Sequence, residues 1–248
     1  MAKVDKTQYS KEEWRKIREQ RRAKKQQEQN FKVLKEIQKQ NPTSKSVVQR
    51  NIDTSTAFVL GNGTSRKSIN PEDLKPHGKI YGCNALYREF EPDYLIAVDV
   101  KMILEISKTG YQYKHEVWTN PNRSYQAIKG LNLFHPSKGW SSGPTALWLA
   151  SQHQYSRIFI LGFDYKGLDN GSKLNNIYAD TRNYKKSNDG ATFYGNWLRQ
   201  TTAVIKENPQ TIFYRVIASD NYIPDELNKF SNLKTILVED FKKMFNFS

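Results

Sequence analysis

From Thr56 onward, short runs of β-branched, aromatic and aliphatic residues recur at intervals, separated by longer stretches of helical composition. The strand-like runs are 57–60, 79–82, 94–98, 116–119, 157–161, 211–216 and 235–238. Helix-like stretches occupy 100–108, 144–153 and 193–207. Runs such as Ala57-Phe-Val-Leu60 and Arg157-Ile-Phe-Ile-Leu161 are apolar almost throughout, as strands covered on both faces are. Strands interleaved with helices predict an α/β domain over 56–248: a doubly wound, mostly parallel sheet with helices on both faces. The polar segment 166–192 has no clear period and reads as a lid or binding loop.

Two junctions carry the chemistry. The first strand runs into Gly61-Asn-Gly-Thr-Ser65-Arg66, where glycines permit a tight turn and close backbone approach. The amides there, with the hydroxyls of Thr64 and Ser65, are suited to receiving an anion. The second junction, Ser141-Ser-Gly-Pro-Thr-Ala146, opens a helix with small hydroxylated residues, a glycine and a proline in the first turn. The strand that follows it ends at Gly162-Phe-Asp-Tyr165, a glycine and a carboxylate at the edge where parallel sheets present ligands. Together the junctions predict a nucleotide cleft.

Charge is distributed unevenly. Residues 1–50 hold 15 Lys and Arg against 6 Asp and Glu, and so carry +9 of the formal +14. Ser10 with Glu13 forms a capping-box pattern, and 11–40 is rich in Lys, Arg, Glu and Gln, which predicts a long basic helix. Its apolar residues, Trp14, Ile17, Phe31, Leu34 and Ile37, are too sparse for a core stripe. Residues 1–42 are therefore read as a basic helical arm, stopped by Asn41-Pro42, and 43–55 as a polar linker. Arg15, Arg18, Arg21, Arg22, Lys24 and Lys25 are the candidate contacts to DNA or another polyanion. The other reading of such a run is a solvated helix that keeps the protein soluble.

The single cysteine, Cys83, excludes an internal disulfide, and the histidines at 77, 115, 135 and 153 lack metal-ligand spacing. No stretch is apolar enough to span a membrane. A cytoplasmic location is expected, in the host cytoplasm if the chain is phage-encoded.

The ordered set Val59-Leu-Gly-Asn-Gly-Thr-Ser65, Tyr81-Gly-Cys-Asn84, Glu91-Pro-Asp-Tyr94 through Ala97-Val-Asp99, Ser141-Ser-Gly143 and Ile158-Phe-Ile-Leu-Gly-Phe-Asp164 resembles the metal-independent bacterial sialyltransferases. The Pro-Asp-Tyr and Val-Asp elements are more similar still to motility-accessory glycosyltransferases and hydroxymethylpterin diphosphokinase-like proteins. The resemblance spans 56 to about 217, and implies a Rossmann-like sheet and a nucleotide-sugar donor, CMP- or UDP-linked. It implies that Gly61, Asn62, Gly63 and Ser65 meet phosphate or ribose, Asn84 phosphate or sugar, and Ser141, Ser142 and Gly143 phosphate and base. Thr64 stands where those sialyltransferases usually have proline. By the same resemblance Tyr165, Tyr178 and Tyr184 donate to the departing phosphate.

The histidine that serves those sialyltransferases as general base has no counterpart, since no histidine follows His153. The candidate bases are Asp164, which is favoured, Asp189 and Asp99. No Asp-x-Asp metal motif is present. Leaving-group charge then falls to amides, hydroxyls and Arg66, Lys67 or Arg182.

The leading expectation is a glycosyltransferase that moves a sugar from a nucleotide donor to a hydroxyl acceptor, with hydroxylated DNA as a candidate acceptor and no cofactor required. The alternatives are diphosphate transfer from ATP with a divalent metal held by Asp99 and Asp164, a nucleotide-binding protein without catalysis, and an assembly protein whose arm binds a partner helix. If the arm tracks phosphates, the full chain is retained on DNA at low salt and loses that retention when residues 1–50 are deleted. Equal retention by the truncated chain would remove the nucleic-acid role.

Overall fold

The computed structural model describes residues 56–191 and 193–247. The basic arm, with Arg15, Arg18, Arg21, Arg22, Lys24 and Lys25, and the linker lie outside the described residues. Eight parallel strands form one sheet: β1 (Thr56–Leu60), β2 (Lys79–Cys83), β3 (Tyr94–Ile96), β4 (Val117–Thr119), β5 (Asn132–Leu133), β6 (Arg157–Leu161), β7 (Ile212–Ile217) and β8 (Leu233–Leu237). Four α-helices accompany them among the described residues: α1 (Val100–Thr109), α2 (Ser142–Gln152), α3 (Gly195–Glu207) and α4 (Val238–Phe245).

The strand order is β5-β4-β3-β2-β1-β6-β7-β8. The chain builds outward from β1 to β5, then returns to place β6 on the other side of β1. The direction of winding therefore reverses between β1 and β6, which is where an open parallel sheet leaves a crevice beyond its strand ends.

Both faces of the central strands are apolar because both are covered. Ala57 and Val59 of β1, with Ile158 and Ile160 of β6, pack under Ala146, Leu147, Leu149 and Ala150 of α2 and Val204 and Ile205 of α3. The intervening Phe58, Leu60, Phe159 and Leu161 face Phe241 and Phe245 of α4. On that side Leu95, Ala97 and Val117 also bury Met102, Ile103 and Ile106 of α1. Helices thus cover both faces, and the sheet is parallel throughout.

Two predicted strands end differently in the structure, and one strand was not predicted. The 94–98 run ends as a strand at Ile96, because the Val98 amide donates to Ser142 Oγ rather than to a neighbouring strand. The 235–238 run becomes β8 over Leu233–Leu237, and Val238 instead begins α4, a helix that composition did not reveal. The two-residue β5 is too short to leave a periodic signal.

Phe159 is the centre of the α4 side. Its ring stacks on Phe58 at 5.4 Å and Tyr214 at 4.7 Å, and meets Phe241 at 5.4 Å and Phe245 at 5.1 Å. Phe159→Ala should cost about 3–5 kcal/mol, read as a lower urea midpoint with unchanged slope. A loss below about 1 kcal/mol would mean that the neighbouring rings collapse into the space.

Candidate active site

The β1 and β6 exits stay paired beyond the strands. Gly61 N donates to Leu161 O at 2.8 Å and Gly63 N to Gly162 O at 2.9 Å. This approach leaves no room for a side chain at position 63, where a Cβ would lie 2.5 Å from Asp164 Oδ2 and 2.7 Å from Gly162 O. Gly162 itself has φ +71°, in the left-handed region where glycine is unstrained.

These exits form one wall of a cleft of about 360 Å³. Gly61, Asn62, Gly63, Asn84, Asp99, Ser141, Ser142, Gly143, Asp164, Tyr165 and Tyr184 all line it, so the two predicted junctions converge. Thr64, Ser65, Tyr178 and Asp189 do not. Thr64 and Ser65 border a neighbouring cavity of about 430 Å³ that shares Asp164 and Asn175 with the cleft. Tyr178 is buried, its hydroxyl donating to Glu89 and accepting from Arg66. Asp189 caps an exposed turn by accepting from Lys186 N.

All of the turn's amides but that of Asn62 are spent inside the protein. Besides Gly61 and Gly63, Thr64 N donates to Asn175 Oδ1 at 2.9 Å and Ser65 N to Asp164 Oδ2 at 3.1 Å. The Thr64 and Ser65 hydroxyls donate to the same two side chains. A turn so occupied leaves only the Asn62 amide without an acceptor among the described residues. Among the described residues the amides of Ser142 and Gly143, in the first turn of α2, have no acceptor, as is general for a helix start.

Ser142 Oγ ties three elements together. It donates to Asn84 Oδ1 at 2.8 Å and accepts from Val98 N at 3.1 Å, joining the ends of β2 and β3 to α2. Its hydroxyl is thus occupied, whereas the Asn84 amide nitrogen is left for a ligand. Asn62 Nδ2 donates to the Tyr184 hydroxyl at 3.2 Å, while the buried Oδ1 has no protein partner among the described residues. Turning the amide over would merely exchange which of its two polar atoms is left unpaired. A buried orphan of this kind calls for a ligand or water.

The two carboxylates of the cleft differ. Asp164 is buried and accepts both the amide and the hydroxyl of Ser65, so it holds the loop together. Asp99 precedes α1 without capping it and makes no side-chain hydrogen bond among the described residues. It opens to the cleft solvent, yet the walls desolvate it enough to raise its carboxyl above the ordinary value.

Tyr165 is also occupied, donating to Thr201 Oγ1 at 2.9 Å from a buried position, with burial pushing its hydroxyl up to about 12. Tyr184 accepts from Asn62 and from Ala85 N, which leaves its own proton for the cleft. Arg66 donates to Gly61 O and to Tyr178, and neither it nor Lys67 nor Arg182 lines the cleft. The lysine that does is Lys185, with no partner among the described residues. The α3 end adds an aromatic wall that motif reading missed. Tyr194 and Trp197 meet edge to face at 5.0 Å, three residues apart, and that spacing was the available signal.

Segment 166–191 lies over the turn through its own bonds. Ile177 N donates to Asn62 O at 2.8 Å, Asn175 receives Thr64, and Asn183 donates to Glu105 at 2.6 Å. The predicted loop is therefore an ordered cover.

Ser142→Ala removes the acceptor of a buried amide and should lower stability by about 1–3 kcal/mol in urea titration. An unchanged midpoint would show that the Val98 amide finds another partner. No family model, curated protein or solved structure matches the chain, so the site stands on its own geometry.

Proposed function

We propose that the cleft binds a nucleotide sugar and that the protein transfers the sugar to a hydroxyl acceptor. The observation that carries this reading is the convergence, at the switch point of a parallel sheet, of the Gly61–Gly63 turn, the free amides at the start of α2 and an unbonded carboxylate, Asp99. In this reading the donor phosphate lies against the Ser142 and Gly143 amides, with Lys185 and the Tyr184 hydroxyl nearby to take the charge that develops as it leaves. Asn62 and Asn84 supply hydrogen bonds to ribose or sugar hydroxyls. Tyr194 and Trp197 offer faces for the base.

Asp99 rather than Asp164 fits the role of general base. In the step, the acceptor hydroxyl gives its proton to Asp99 as its oxygen bonds to the anomeric carbon. The bond from that carbon to the phosphate oxygen breaks, and the nucleotide leaves with the electron pair. Asp164, already accepting two hydrogen bonds, fits a holding role.

A second reading is favoured by one observation, that Asp99 and Asp164 reach a single cleft from separate strand ends. Carboxylates so placed suit a Mg²⁺ shared with substrate phosphates, and would serve diphosphate transfer from ATP. Loss of activity in EDTA would support that branch, whereas indifference to EDTA supports the metal-independent transferase.

Calorimetric titration with CMP, UDP and ATP, followed by mass spectrometry of products from the matching nucleotide sugars, tests the main reading. Binding without turnover on any acceptor would leave a nucleotide-binding protein, and no binding would end the reading. Asp99 must be ionised to accept a proton, so kcat should rise as pH climbs through its raised pKa. Asp99→Asn should lower kcat about 10²–10⁴-fold and abolish that acid limb, with donor affinity little changed. A full rate in this variant would exclude Asp99 as the base.

A further inference from the structure

Arg215 is the largest side chain buried to this depth, with 2 % of its surface exposed, on the β7 face that packs toward α2 and α3. Its Nε and Nη2 donate to Phe163 O at 3.2 and 2.9 Å, and Nη2 also donates to Tyr222 O at 2.9 Å. The guanidinium carbon lies 5.1 Å from the centre of the Tyr165 ring. Nη1 is buried with no hydrogen-bond partner among the described residues, and no carboxylate forms an ion pair with the group. Asp164, the nearest acid acting on it, is tied to Ser65 instead.

Such a placement is costly. A guanidinium stays charged in any protein, and removing it from water is repaid only by opposite charge or a full set of hydrogen bonds. Two neutral carbonyls are not a full set. Clamping carbonyls does not require a net charge either, since neutral amides also donate to them, though less strongly.

The position suggests where the missing counter-charge comes from. Phe163, Asp164 and Tyr165 line the cleft, and Arg215 bonds or stacks on two of the three from behind. The lining itself carries two carboxylates, Asp99 and Asp164, against one cation, Lys185, a balance that repels phosphate. A cation set in low dielectric one layer behind the wall offsets that excess of negative charge, because its field is weakly screened there.

We propose that Arg215 is a specificity residue, whose buried charge makes the cleft prefer ligands carrying phosphate over the same ligands without it. This rests on the nucleotide reading of the cleft. It assigns Arg215 no contact with the ligand, only a field.

The test compares matched pairs, CMP with cytidine, UMP with uridine and AMP with adenosine, by calorimetry on the full chain, on Arg215→Gln and on Arg215→Lys. Wild type should prefer the phosphorylated member of the pair that binds. Arg215→Gln keeps a donor for the Phe163 carbonyl but no charge, and should lose about tenfold or more of that preference while nucleoside affinity stays within about threefold. Arg215→Lys keeps the charge, and should retain the preference even if both affinities fall. An unchanged ratio in folded Arg215→Gln overturns the assignment and leaves the nucleotide reading intact. If that variant does not fold by circular dichroism, Arg215→Lys decides, since loss of the ratio there shows that charge is not the cause. Wild type that binds neither member of any pair overturns both readings.

Discussion

The site depends on the backbone pairing that continues past the ends of β1 and β6. Because Gly63 N reaches Gly162 O, the two loops lie too close for any side chain between them, and all of the turn's backbone donors but the Asn62 amide bond within the protein. That single constraint decides which groups remain for a ligand. The start of α2 is less occupied, since Pro144 there follows two amides with no acceptor among the described residues. The pairing also aims Asp164 across the turn, so that a carboxylate at a functional sheet edge becomes part of the scaffold.

Two carboxylates in one cleft thereby acquire different characters. Asp164 is hydrogen-bonded twice by Ser65 and holds the turn together. Asp99, on the other side, has walls that disfavour its charge and no donor that favours it, so its affinity for a proton rises. Environments that treat two acids unequally are how one site assigns separate roles to chemically equal groups. Asp99 owes its freedom to Ser142, whose hydroxyl takes the Val98 amide and ends β3 just before Asp99.

Much of the sheet was legible because its central strands are covered on both faces and so read as short unbroken apolar runs. Ala57–Leu60 and Arg157–Leu161 could be placed almost to the residue. The junctions that meet at the cleft were legible for a related reason, since only small residues tolerate such close approach. What sequence could not carry was the occupancy of donors: whether Thr64 N is free depends on Asn175, 111 residues away. Occupancy moved Thr64, Ser65 and Tyr178 from ligand contacts to scaffold, and brought Lys185, Tyr194 and Trp197 to the cleft. Arg215 did leave a trace. In Phe213-Tyr-Arg-Val-Ile217 it occupies an inward position of a buried strand, and a charge there has to be answered by something.

The cover over the cleft follows from the same accounting. Residues 166–191 contain little regular structure, and although Leu168 pairs with Lys173, Leu174 N with Ser187 O and Asp180 N with Lys185 O, other polar groups of the segment look outside it. They take partners from what lies beneath: Asn62 O, the Thr64 amide and hydroxyl, and Glu105 on α1. The loop is therefore ordered by the turn it covers, and the turn's side chains are oriented by the loop in return. Leu174 and Tyr178 are buried, and Ile177 and Tyr184 pack against the α1 core cluster, so apolar contact as well as hydrogen bonding holds the segment down. Asn62 joins turn and cover twice, its carbonyl accepting from Ile177 N and its side-chain amide donating to the Tyr184 hydroxyl, so neither segment keeps its geometry without the other.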